Sequence, residues 1–271
     1  MIDVFGKDAS ILKKKKLFLF DMDGTIYEEE TVFDGTIDLL QHIKNSGGNY
    51  VFITNNSSKG IEDYLSKMKR LGIEADVDNF FTSTQATALL FNKRYEGKKI
   101  YCQGTRSMIK ELLSSGVDIT EQDEKVDAVL VGFDTELTSE KIRRTCRILS
   151  TQDVPFYATN PDLRCPVEFG FIPDCGSICQ MIINATDKIP TYIGKPEPVM
   201  VNVAMEKFGR DAEETVVIGD RLYTDIATGF NADVTAVCVL TGEATISEIE
   251  NGRIKPTLTF ESVRDIAKII R

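Results

Sequence analysis

The sequence predicts an α/β fold built on parallel strands, from three observations. Unbroken apolar runs recur along the chain, helix-like segments lie between them, and chemically capable polar residues fall at the ends of the runs. The runs are LFLF at 17–20, YVFI at 50–53, DAVLVGF at 127–133, TVVI at 215–218 and TAVCVL at 235–240. Continuous Val, Ile and Phe mean burial on both faces, as in parallel strands covered by helices. The intervening segments have helical patterning: GTIDLLQHIKNSGG at 35–48 with a glycine stop, IEDYLSKMKRLG at 61–72, TQATALLFNKRY at 84–95, TRSMIKELLSSG at 105–116, TSEKIRRTCRILS at 138–150 and PVMVNVAMEKFG at 198–209. Alternation of this kind gives right-handed crossovers.

Length and composition narrow the function classes. At 271 residues the chain has room for one large or two modest domains. Its longest apolar runs fall well short of the ~20 residues of a membrane helix, so a soluble protein without a membrane partner is expected. The start, MIDVFGKDASILKKKK, has no apolar leader core, and the six cysteines are scattered without CxxC pairs. Free thiols and a cytoplasmic location are expected. A net charge of -10 argues against nucleic acid, whose phosphates are met by clustered basic surfaces. The single histidine, His42, lies in a helix-like segment, so histidine-rich metal sites and a Ser/His/Asp triad are disfavoured. Acid and base work then falls to carboxylates.

Those carboxylates stand where chemistry is expected. Asp21, Thr54 and Asp220 each follow an apolar run closely at its C-terminal end, the edge where open parallel sheets bind ligands. One such Asp could serve as a helix cap. Three strand ends together, with Asp23 after the first and Asp225 after the last, argue for a site. Clustered acidic oxygens without thiolate or imidazole suit Mg²⁺. Lys195 in GKPEP, just before a helix opened by Pro198, adds a cation at a helix N-terminus. These parts can hold a phosphoryl group and stabilise charge during its transfer.

Four motifs in order, DMDGT at 21–25, VFITNNSS at 51–58, GKPEP at 194–198 and VIGDRLYTD at 217–225, resemble the haloacid dehalogenase (HAD) superfamily of phosphatases. Within it, the chain resembles the NagD-like or para-nitrophenyl phosphatase subfamily, subclass IIA. The resemblance spans almost the whole chain. It implies a doubly wound Rossmann-like core at 1–83 and 189–271, with an inserted smaller α/β cap of the C2 type at 84–188. The first two motifs are too close together to admit a helical cap, whereas Thr54 and Lys195 are far apart.

The resemblance also implies roles. Asp21 would be the nucleophile that forms an aspartyl-phosphate, and Asp23 the general acid and base. The glycine at position 24 would let the chain bend, so that the Asp23 carbonyl faces the metal while its side chain faces the leaving group. Thr54 and the Asn55 amide would hold phosphoryl oxygens, and Lys195 would neutralise nucleophile and phosphate. Asp220 would join Asp21 and Asp23 around Mg²⁺, with Asp225 acting through a water or one contact behind the ligands. In NPDLRCPVEFGFIPDCGS at 160–177, Asp162, Arg164, Gly176 and Ser177 would be candidates for substrate contact, against the plainer reading of a structural loop with Ser177 near a helix cap. Pro173-Asp174-Cys175-Gly176 departs from relatives that have glycine after the proline, so substrate identity does not transfer.

The expected activity is Mg²⁺-dependent hydrolysis of a small phosphorylated metabolite, and the resemblance admits a homodimer paired through the cap. A phosphomutase or phosphotransferase with the same nucleophile is the nearest rival, although family mutases place the cap between the first two motifs. A receiver-type phosphoacceptor switch keeps its acidic pair apart from its acceptor, and a degenerate binding module would lack Asp21 or Asp23.

Overall fold

The computed structural model describes residues 1–271. The chain forms two compact units: Met1–Thr54, Leu65–Phe81 and Lys195–Arg271 in the first, Asn55–Tyr64 and Thr82–Gly194 in the second. The core expected from the sequence takes in all of 1–83. By contacts the segment Asn55–Tyr64 groups with the second unit.

The first unit carries a sheet of six strands in the order Leu258–Phe260, Thr235–Val239, Thr215–Gly219, Leu17–Phe20, Asn49–Thr54 and Phe80–Thr82. Leu17–Phe20 is parallel to both of its neighbours, and the pairings onward to Leu258–Phe260 are parallel as well. From this central strand the chain winds first to one side and later to the other, which makes the core doubly wound and puts a topological switch point beside Leu17–Phe20. Every residue of Leu17–Phe20, Thr215–Gly219 and Thr235–Val239 is buried. Each large apolar side chain held this way contributes roughly 1.5 to 3 kcal/mol, and that burial keeps the strand ends in place.

Helices fall where the periodicity puts them. Thr36–Asn45 packs on the strand Asn49–Thr54 and on the C-terminal helix Val263–Ile270. His42 lies on it, with Nε2 2.9 Å from the Ile270 carbonyl oxygen, a structural contact. Val199–Phe208 has Pro198 at the position just before its first turn and is closed by Gly209 in the left-handed region. No helix is long and apolar enough to cross a membrane.

The second unit has a parallel sheet of its own, ordered Thr191–Tyr192, Phe156–Ala158, Ala128–Val131, Lys99–Gln103 and Asp118–Thr120. Its three inner strands carry the segments KIYCQG at 99–104, DAVLVGF at 127–133 and PFYATN at 155–160. Its core joins Val129, Val131 and Phe156 to Ile148, Ile178 and Ile182 from two helices. Arg164–Val167 and Gly170–Pro173 form an antiparallel hairpin in what reads as a loop. All six cysteines are free.

One carboxylate in this unit has a measurable consequence. Burial, with Asp63 nearby, pushes the Glu111 carboxyl up to about 7, and neither of its oxygens has a hydrogen-bond partner. A folded-state value above the unfolded one means that stability is retained at pH below ~4.5 and lost as pH rises through about 7. Glu111→Gln is therefore expected to raise unfolding stability at pH 8 by on the order of 2 to 3 kcal/mol and to change little at pH 4, measured by urea titration at both values.

Candidate active site

The site assembles at the C-terminal ends of three adjacent strands. Phe20 pairs with Ile218 on one side and Phe52 on the other, so Asp220 and Thr54 each lie two residues past a Phe20 partner. Asp21 leaves the central strand with its backbone N–H donated to the Ile218 carbonyl at 2.8 Å. The chain then turns at once, with Thr25 and Ile26 donating back to the Met22 carbonyl at 3.2 and 3.0 Å. Gly24 makes the turn feasible twice over: its φ is +84°, and a Cβ there would sit 2.8 Å from Asp220 Oδ2.

Lys195 is the centre of the charge network. Its ammonium donates to Asp21 Oδ1 and to Asp225 Oδ1, both at 2.5 Å, and to the Ile53 carbonyl at 3.3 Å. Its side chain is only 3% exposed, as against 14% for Asp21 and 0% for Asp225. Asp225 is carried by a short π-helix, Leu222–Ile226, a distortion common at functional sites. Its second oxygen accepts from the Arg221 backbone N–H at 3.1 Å. Asp220 accepts from the Thr25 hydroxyl at 3.3 Å and from the Glu243 N–H at 2.8 Å.

The electrostatics follow from crowding. Burial pushes the Asp21 carboxyl well above the usual range; Lys195 opposes this, and Asp225 and Asp220 add to it. Burial, and then Asp225, push Asp220 up to about 6. For Lys195 burial acts downward, but Asp21 and Asp225 outweigh it and the ammonium is held above its ordinary value. Asp21, Asp220 and Asp225 offer oxygens all within 4.8 Å of one another. Three clustered carboxylates, two of them buried and two of them paired with the one Lys195 ammonium, leave surplus negative charge, and a donor set made only of oxygens fits a hard dication.

Asp23 is turned away from this cluster. Its carboxylate is 44% exposed; Oδ1 accepts from Lys67 Nζ at 3.3 Å and Oδ2 from the Tyr27 hydroxyl at 3.4 Å. Thr54 ends its strand, buried. Asn55 opens the second unit, where its side-chain amide donates to Asp162 Oδ2 at 3.0 Å and its carbonyl accepts from Ser83 and Asn160. In the same unit Asp162 is buried. Gly176 is locked: a Cβ there would lie 2.2 Å from the Pro161 carbonyl oxygen. Ser177 donates to the Leu163 carbonyl at 2.5 Å, and the cap of its helix is Asp174. Arg164 is the exposed residue of these four and lies over the Phe171 ring at 4.3 Å.

Several participants escape a reading by motif. Thr241 donates to the Gly24 carbonyl at 2.6 Å, and Gly242 packs so tightly that a Cβ would meet Asp220 Oδ2 at 2.0 Å. Together with the Glu243 N–H, this short segment backs both Asp220 and the turn at Gly24. Its signal is present in the chain, since TGE follows the run TAVCVL at the same sheet edge as Asp21 and Asp220.

Comparison with known proteins gives the family. A family model described as haloacid dehalogenase-like hydrolase matches residues 18–118, and a related HAD hydrolase-like model matches 192–266. The acid sugar phosphatase of Staphylococcus saprophyticus is 34% identical over 257 residues, covering 95% of this chain and 98% of that protein. Among solved structures, a 4-nitrophenylphosphatase from Thermotoga maritima superposes with a TM-score of 0.91 at 37% identity, over 96% of this chain and 99% of the other. NagD from E. coli gives 0.84 at 32% identity, over 93% and 98%. An acidic triad at the C-terminal sheet edge and likeness along nearly the full length lead to one conclusion: the chain belongs to the haloacid dehalogenase-like hydrolases, as a phosphatase of the NagD and para-nitrophenyl phosphatase group.

Proposed function

We propose that this phosphatase hydrolyses phosphate monoesters of small metabolites, sugar phosphates foremost, through an aspartyl-phosphate on Asp21 in a Mg²⁺-dependent reaction. The observation that carries the reading is the Lys195 ammonium held 2.5 Å from Asp21 at the end of the central strand, with Asp220 and Asp225 beside it. The sugar-phosphate class comes from the names of the relatives, acid sugar phosphatases at 31 to 34% identity.

In the first half-reaction an Asp21 oxygen attacks phosphorus as the ester oxygen departs with a proton from Asp23. In the second, Asp23 takes a proton from water, which attacks the same phosphorus and frees Asp21. Lys195 holds Asp21 in place and offsets charge on the transferring group, while the Thr54 hydroxyl and the Asn55 backbone N–H bind its oxygens. The Asp21 and Asp220 carboxylates and the Asp23 carbonyl would hold Mg²⁺, with Asp225 fixed behind them by Lys195. Bound there, the ion supplies the positive charge that keeps Asp21 ionised and draws in the phosphoryl oxygens. The inserted unit would act as the cap, with Asp162, Arg164, Gly176 and Ser177 in its substrate-selecting segment, and pairing of two chains through it would make a homodimer.

The test is release of nitrophenolate from para-nitrophenyl phosphate by purified protein with Mg²⁺ and with excess chelator. Turnover that chelator suppresses and Mg²⁺ restores is expected, followed by activity on hexose phosphates. Turnover indifferent to chelator contradicts the metal role, and transfer of phosphate within the substrate without release contradicts hydrolysis.

A further inference from the structure

On the helix Ile61–Arg70 the charged residues Glu62, Asp63, Lys69 and Arg70 are all exposed. Lys67 does not. Its side chain is 12% exposed, and its ammonium lies 3.8 Å from the centroid of the Tyr27 ring while donating to Asp23 Oδ1 at 3.3 Å. Exposed pairs in the same unit, such as Lys44 with Glu74, at 59% and 77%, cost little to form and stabilise little. Drawing an ammonium out of water against an aromatic face is a different arrangement, because it fixes a long flexible chain in one place.

Its partner has reason to be fixed. Asp23 is 44% exposed, so packing alone does not set the plane of its carboxylate. Two donors do so. Lys67 takes one oxygen, and Tyr27, fully buried, takes the other with its hydroxyl at 3.4 Å. Tyr27 is returned under Asp23 by the turn itself, since its carbonyl accepts from the Gly24 N–H at 2.9 Å.

We infer that Lys67, together with the Tyr27 hydroxyl, is a positioning residue that aims the Asp23 carboxyl at the oxygen leaving phosphorus. This inference rests on the acid and base role proposed for Asp23. In the first half-reaction the Asp21–phosphorus bond forms, the bond from phosphorus to the leaving oxygen breaks, and the Asp23 proton goes to that oxygen. In the second, the water–phosphorus bond forms, the Asp21–phosphorus bond breaks, and a water proton returns to Asp23. Lys67 keeps its own protons throughout. Proton transfer requires the acid to stand within hydrogen-bond reach of the departing atom, so a carboxyl left to swing loses efficiency where protonation matters most.

That dependence separates positioning from a merely structural role. Nitrophenolate departs with little help from an acid, whereas phenolate needs it. The experiment measures kcat/KM, which reports the first phosphoryl transfer, for para-nitrophenyl, phenyl and para-methoxyphenyl phosphates with wild type, Lys67→Met, Lys67→Arg, Tyr27→Phe and Asp23→Asn. Lys67→Met is expected to lose at least about tenfold more on the poor leaving groups than on para-nitrophenyl phosphate, and Lys67→Arg to recover most of the difference. Tyr27→Phe is expected to show the same bias more weakly, and it decides the matter if Lys67→Met does not fold. Equal losses across the series, or none, overturn the inference. Asp23→Asn is the reference: a steep bias there with a flat response in the Lys67 variants refutes only the positioning role, whereas a flat Asp23→Asn refutes the acid role itself and the inference with it.

Discussion

Asp21→Asn is expected to stop phosphate release almost completely, by on the order of 10⁴-fold or more, while the protein stays folded. An amide of the same shape keeps the packing at the end of Leu17–Phe20 but cannot form the phosphoenzyme. The fold should tolerate the change because Lys195 retains Asp225 as a partner at 2.5 Å, and because the Asp21 carboxyl, raised first by burial and further by Asp225 and Asp220, is itself an unfavourable buried group. Steady-state phosphate release beside a thermal unfolding curve checks both halves. A variant that keeps a substantial fraction of turnover would exclude Asp21 as nucleophile.

Lys195→Met should damage both stability and activity, unlike Asp21→Asn. The ammonium bridges two carboxylates of which one is 0% and the other 14% exposed. Removing one partner of a buried pair leaves the remaining charge unpaid, a loss of about 3 to 5 kcal/mol. Activity should fall by on the order of 10² to 10³-fold, as for loss of one preorganised electrostatic contact to a developing charge. Denaturant unfolding and phosphate release measure the two effects. Adding Asp225→Asn should recover part of the stability and none of the activity, since the second change relieves repulsion without restoring a cation. An unchanged unfolding midpoint in Lys195→Met would contradict the charge network as described.

The parts of the site that were legible beforehand share a physical cause. LFLF, YVFI and TVVI are buried on both faces, and a run of that kind must stop where the chain meets solvent, so Asp21, Thr54 and Asp220 could be placed at one sheet edge from sequence alone. Gly24 was legible as a bend; its second role, leaving room for Asp220, depends on a residue far along the chain. Lys195 followed from its motif, but its direct pairing with Asp225 depends on the π-helix Leu222–Ile226, which has no period of its own to read.

What stayed hidden was short, or depended on one side chain among equals. Thr191–Tyr192 and Asp118–Thr120 are edge strands of two and three residues with partly exposed side chains, too brief to show a pattern. The hairpin at Arg164–Val167 and Gly170–Pro173 is rich in Pro and Gly and largely exposed, a composition that also describes a loop. Lys67 is one of several charged residues on an amphipathic helix, and only the ring of Tyr27 distinguishes it. Asn55–Tyr64 follows the strand Asn49–Thr54 directly, yet hydrogen bonds from Asn55 to Asp162 and from Thr105 to Ser58 tie it to the second unit.

The most direct test of the proposed chemistry is to quench the enzyme in acid during turnover of para-nitrophenyl phosphate with Mg²⁺ and to weigh the peptide that contains Asp21. A peptide heavier by one phosphoryl group, with the addition on Asp21 and lost on treatment with hydroxylamine, is the predicted result. Product accumulating while that peptide keeps its unmodified mass, or a phosphoryl group found on another residue, would contradict the assignment of Asp21 as the nucleophile.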